Sequence, residues 1–192
     1  METKKFELTS DTKIVFGKKL FRIKALIDFG NVNKGELGGY VEKEENLSHE
    51  DNAWISGNAE VYGNAEVYGN AEVYGNAKVS GNAWVYGNAW VYGDAWVSGN
   101  AKVYGNAEVY GNAEVSGNAE VSGNAKVSGN AKVSGNDDYL CFKGLGSRNR
   151  NTTFFKCKDG HIHVVCGCFD GNLDEFAAKV RETHGNSTYT RE

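Results

Sequence analysis

A chain of 192 residues with 25 glycines, no proline and a net charge of −4 suffices for one ordinary domain or for a repeat array with small ends. Basic and acidic side chains number nine and ten over residues 1–51, four and seven over 52–136, and eight and eight over 137–192, so no segment has the basic excess of a nucleic-acid surface. The opening Met-Glu-Thr-Lys-Lys-Phe has no apolar signal region, no apolar run is long enough to span a bilayer, and the four cysteines crowd between Cys141 and Cys168; a cytoplasmic protein with reduced thiols is expected, with neither membrane nor nucleic acid as partner.

In chain order, residues 1–38 predict an N-terminal β-hairpin cap. Lys13–Phe16 and Leu20–Ile27 read as strands, with Gly17-Lys18 as the turn between them. Leu37–Ser48 leads into the repeat, and Val41 and Leu47 fall in step with its alanines, which starts the first coil near Gly39.

Residues 39–136 predict a parallel β-solenoid. From Asn52 to Gly135 the chain is 14 hexads of Asn-Ala-x-(Val/Ile)-(Tyr/Ser)-Gly, broken only by Asp94 for Asn and Ile55 for Val. A six-residue period excludes helical repeats of tens of residues, and it matches no amphipathic helix. In Ala65-Glu66-Val67-Tyr68 strand alternation sends Ala and Val to one face and Glu and Tyr to the other. Gly69-Asn70 then turns the chain, because both residues tolerate positive φ. The small apolar pair faces inward, and a chain that turns alike every hexad winds into a coil.

The phrase Val-Tyr-Gly-Asn-Ala-x resembles the hexapeptide motif of left-handed parallel β-helices. That resemblance implies a left-handed coil of three hexads, and it implies trimers. Stacking every third hexad sorts the x positions into three columns: Trp54, Glu72, Trp90, Glu108, Lys126 on a first face; Glu60, Lys78, Trp96, Glu114, Lys132 on a second; Glu66, Trp84, Lys102, Glu120 on a third. Opposite charges meet at neighbouring rungs, as in Glu60–Lys78 and Lys102–Glu120, each worth roughly 0.2–1 kcal/mol. Tyr74, Tyr92 and Tyr110 align on the first face and Tyr68, Tyr86 and Tyr104 on the third, while the second is serine-rich, with Ser80, Ser98, Ser116 and Ser134 in line. Trp84, Trp90 and Trp96 give one coil a tryptophan on every face. Two readings stand: cross-strand stacking that stiffens a thin solenoid, or a surface for subunits or ligand. The corner asparagines are expected to bond coil to coil.

Residues 137–192 break the repeat and predict a small α+β cap. Tyr139–Phe142 and Thr152–Cys157 read as strands, Asp159-Gly160 as a hairpin turn and His161–Cys166 as the returning strand. Asn172 is placed to cap a helix from Leu173 to about His184, with Leu173, Phe176, Ala177 and Val180 as its apolar stripe and Gly185 at its end. The segments Glu36–Ser48, Gly146-Ser-Arg-Asn149 and Cys166-Gly-Cys-Phe169 resemble those of phage and prophage hexapeptide-repeat proteins, which are often labelled transferases on the strength of the repeat.

Acyltransferases of this fold are expected to use a histidine as general base in a cleft between subunits. Residues 52–135 hold no histidine and no loop; His49, at the N-terminal edge, is the one candidate base. Cys157, His161, His163, Cys166 and Cys168 form a metal-like cluster in which Cys157 and Cys166 could face each other across the hairpin. Alternation nevertheless sends His161 and His163 away from Cys166 and Cys168, which favours reduced thiols over zinc. The loop around Ser147, Arg148, Asn149 and Arg150 offers amides and guanidiniums to an anionic small molecule or nucleotide. The sequence reading is a non-catalytic, homo-oligomeric scaffold of phage or prophage setting, without cofactor or metal. An anion-binding protein is the alternative, and an acyltransferase a more distant one.

Overall fold

The computed structural model describes residues 4–145 and 150–185, apart from the side chain of Leu145. Its middle is a parallel β-solenoid. Fourteen two-residue strands, β4 (Trp54–Ile55) to β17 (Lys132–Val133), each occupy the x-Val pair of one hexad. Strands three hexads apart are hydrogen-bonded neighbours, as Trp90 beside Glu72 and Glu108 shows. The three columns therefore stand as the sequence arranges them, with five strands on the first face and four on the third. The second face runs through an eight-stranded sheet.

The core is built from the smallest apolar pair. Every repeat alanine, together with Ile55 and the repeat valines, is buried. Alanine allows two coil walls to come close where valine fills the remaining width. At each corner from Gly57 to Gly129 the glycine has positive φ. In the middle of the solenoid a second constraint joins the first: a Cβ on Gly99 would lie 2.9 Å from the backbone nitrogen of Gly117 in the next coil. Corner asparagines donate their side-chain amides to counterparts one coil on; Asn52, Asn70, Asn88, Asn106 and Asn124 form one continuous row at 3.0–3.3 Å.

The N-terminal hairpin forms from β1 (Phe6–Val15) and β2 (Lys18–Ala25), but its turn is Phe16-Gly17, both with positive φ, one residue before the expected Gly17-Lys18, because Lys18 already pairs with Val15. β2 pairs antiparallel with β3 (Leu37–Val41), which pairs parallel with β5 (Glu60–Val61) and so joins cap to solenoid. The entry coil departs from the expected register. Val41 stands beside Val61 and Leu47 beside Val67, a longer interval than the three hexads that separate Ile55 from Val73. Val41 and Leu47 thus stack on valines, not on alanines. The additional residues lie in the corner from Ser48 to Asn52, because Ser48 donates to Val67 and Asn52 to Gly69. Asp51 supplies the left-handed backbone there, at φ 53°.

The C-terminal cap is a four-stranded sheet whose strands are neighbours in chain order, with a helix packed on the last two. Its elements are β18 (Tyr139–Leu145), β19 (Arg150–Lys156), β20 (Ile162–Cys166), β21 (Phe169–Asn172) and α1 (Leu173–His184). The Asn172 capping box with Glu175 and the Gly185 end cap both form. Phe176 packs on Phe154 and Phe169. Leu173 is exposed instead of joining that stripe, since the first helical turn starts at the sheet's outer edge. The cap closes the last coil: Lys126 donates its amide to Thr153 Oγ1, and Lys158 donates its amide to the carbonyl of Asn130. Among the described residues no helix is long and apolar enough to cross a membrane.

Candidate functional site

The solenoid surface carries two open aromatic columns. Tyr68, Tyr86 and Tyr104 stack on the third face with centroids 4.9 Å apart, and Tyr74, Tyr92 and Tyr110 on the first face at 4.9–5.0 Å. The spacing is that of the strands beneath, so the backbone sets the stack. Burial, followed by neighbouring charge, raises the phenol pKa values of Tyr68, Tyr74, Tyr86 and Tyr92; Tyr92 also donates to Glu108 Oε2 at 3.3 Å. Those four phenols therefore present neutral hydroxyl groups.

Four tryptophans occupy x positions, and their surroundings differ. Trp54 is 5% exposed, with the edge of Phe29 against it at 5.4 Å. Trp96 is 38% exposed; Phe16, from the tip of the N-terminal hairpin, stacks on it at 6.4 Å, and its indole N–H donates to Ser80. Trp84 and Trp90 are 40% and 43% exposed and lie clear of both caps. The Lys102 ammonium stands 5.7 Å from the Trp84 ring, and Trp90 sits between Glu72 and Glu108. The three belt residues are exposed to similar extents; Trp96 differs in having the hairpin's Phe16 stacked along it.

The expected rung pairs are present: Lys78–Glu60 at 3.3 Å, Lys102–Glu120 at 2.9 Å and Lys126–Glu108 at 2.6 Å. The last two neutralise the C-terminal half of the third and first faces, while the first lies on the second face. The aromatic surface is consequently bordered by acid toward the N-terminal side, where Glu66 and Glu72 are exposed.

His49 is held in the widened entry corner. Its ring stacks on Phe6 at 4.2 Å, and Nδ1 accepts the Lys5 backbone N–H at 3.1 Å. In neutral His49 the proton therefore sits on Nε2, on the side of Glu44 Oε2 at 3.7 Å, and the ring offers no free lone pair for a base. A groove of about 560 Å³ beside it is lined by acidic residues, Glu44, Glu50, Asp51 and Glu66 among them. Lys5, which nothing in its local sequence singles out, is 1% exposed and donates to the carbonyls of Glu50, Asp51 and Ala53. Burial pulls its pKa down to about 8, against the opposing pull of Asp51.

The cysteine–histidine cluster does not converge. Cys157 accompanies His161 at the hairpin end, while Cys166 lies opposite Thr152, so the two thiols do not face each other. The hairpin's short Asp159-Gly160 turn sets that register. The Cys157 thiol pKa is raised by burial, then by Asp159 and Asp170. His163 pairs with Asp170 and stacks on Phe155. No group of three or more ligands able to hold a metal occurs among the described residues. Ser147, Arg148 and Asn149 lie outside the described residues; Arg150 is half-buried and packs against Gly167 in the β20–β21 turn.

Residues 71–87, 77–93 and 83–99 match the family model described as the YdcK beta solenoid repeat, a stretch that holds Trp84, Trp90 and Trp96. No curated protein matches the chain. The matched repeat and the coil geometry together identify a β-solenoid repeat protein, closed at its ends by two unlike caps.

Proposed function

We propose that this chain is a non-catalytic structural scaffold whose first and third faces dock protein chains, copies of itself among them. The observation that carries this reading is selective coverage. The N-terminal segment buries Trp54 and Tyr62 and lays Phe16 along Trp96, yet Trp84 and Trp90 are exposed with no cap aromatic against them, and both tyrosine columns are half-exposed. Rigid aromatic side chains lose little entropy on contact and dominate interface energetics. A complementary partner face places arginine or lysine over Trp90, between Glu72 and Glu108, and avoids acid. A homotrimer and a phage or prophage setting follow from the motif resemblance. Four free cysteines suit a reducing cytoplasm.

Sedimentation velocity on the W84A/W90A variant tests this. A hot-spot tryptophan contributes about 2 kcal/mol, so losing even one weakens association roughly 30-fold. An oligomer of unchanged size and affinity would reject the aromatic faces as the docking surface.

A further inference from the structure

A second surface, at the far end of the molecule, has its own recognition chemistry. β18 is the outermost strand of the cap sheet, and among the described residues only β19 pairs with it. An edge strand turns alternate N–H and C=O groups away from its sheet, and natural proteins shield such edges with charge, proline or a covering element. The opposite edge, β21, runs directly into α1. β18 instead exposes Leu140 at 51% and Phe142 at 43%. Both lie on the side of the sheet that bears Phe154, since Leu140 faces Phe154 and Phe142 faces Thr152. Beside the edge runs a groove of about 570 Å³ toward the third face of the last coils, lined by Tyr104, Glu120, Ser122 and Asn124.

We propose that β18 pairs antiparallel with β18 of a second copy and joins two cap sheets into one. The pattern of β18 is self-complementary about Cys141. With Cys141 on the two-fold axis, Leu140 stands across from Phe142 of the partner subunit and Phe142 across from Leu140 of the partner subunit. Lys143 then meets the phenol of Tyr139 of the partner subunit, and no two like charges are opposed. The irregularity between Lys143 and Leu145 ends the paired stretch. An isologous contact of this kind closes on itself as a dimer and does not propagate into a fibre. The paired strand itself uses none of the residues assigned to the aromatic faces; Tyr104 of the third-face column lines only the groove beside it.

The test takes the full chain in the W84A/W90A background, where docking through the solenoid faces is weakened. Sedimentation across micromolar concentrations is expected to show a dimer of the 20.9 kDa chain. Adding L140K and F142K, two exposed positions, is expected to weaken that dimer at least tenfold with an unchanged far-UV spectrum. Hydrogen exchange on the chain without those lysines is expected to slow at Tyr139–Lys143 as concentration rises, while β21 stays constant. This last measurement decides the matter if the lysine variant does not fold. A monomer at every concentration, a dimer indifferent to the lysines, or β18 exchange independent of concentration overturns the proposal.

Discussion

The backbone amide of Lys5 donates to Nδ1 of His49 at 3.1 Å, linking the N-terminal segment to a residue far along the chain. This contact fixes the imidazole tautomer and ties the start of the hairpin to the widened corner of the entry coil. His49 is thereby a fastening between cap and solenoid. H49A loses the hydrogen bond and the stack on Phe6, and is expected to cost about 1–2 kcal/mol in chemical denaturation. Fraying is expected first in residues 4–8, read by amide exchange. Wild-type stability in H49A would remove the fastening role.

Lys5 closes the same end by a different route. Its ammonium supplies donors to the carbonyls of Glu50, Asp51 and Ala53, which have no preceding coil to pair with. K5M leaves them unpaired and is expected to cost about 1–3 kcal/mol. The pH dependence has a definite sign. The folded pKa is about 8 against 10.5 for a free lysine. Between those values the unfolded chain binds more protons, so this group's contribution to stability rises with pH across that window and is flat below it. The wild-type minus K5M stability difference is therefore expected to grow from pH 8 to 10.5; a difference that shrinks contradicts the buried ammonium.

Two corner glycines separate backbone conformation from coil packing. Gly99 has φ 68° and would place a Cβ 2.9 Å from Gly117, whereas Gly129 has φ 59° and open space around it. G129A is expected to cost about 1–2 kcal/mol for the left-handed backbone alone. G99A should cost clearly more, because the next coil must also give way. Equal losses in thermal denaturation would show that the coils are less tightly stacked than described.

Asp94 ends one asparagine row. Asn58 donates to Asn76 and Asn76 to Asp94, but a carboxylate has no amide to pass on to Asn112. D94N supplies the missing donor. A gain of about 0.5–1 kcal/mol is expected, read as a raised denaturation midpoint. A loss would mean that the carboxylate has a partner worth more than the continued row.

The repeat makes most of this fold legible in sequence, because one hexad states the strand, the inward pair and the corner, and repetition removes ambiguity. The three-hexad coil rests on motif resemblance, and the register between Trp90 and Glu108 agrees with it. The entry register is not legible in the same way. Val41 and Leu47 are one hexad apart, so their spacing suits an alanine or a valine row equally, and the added residues are polar ones in a corner. Likewise, Trp84, Trp90 and Trp96 have nearly the same local sequence; residues far off in the chain, Phe16 against Trp96 and Lys102 against Trp84, make them different. Strand β21 is hidden because Asp170-Gly171 reads as a turn, and a buried Lys5 has no local signature at all.

Oxidative footprinting of the four tryptophans at rising protein concentration tests the docking faces most directly. Trp54 is buried and Trp96 is stacked on Phe16, so both serve as internal references. Trp84 and Trp90 are expected to become protected as the chain associates while Trp54 and Trp96 keep constant rates. Association that leaves Trp84 and Trp90 as reactive as in the dilute chain would contradict docking through these faces.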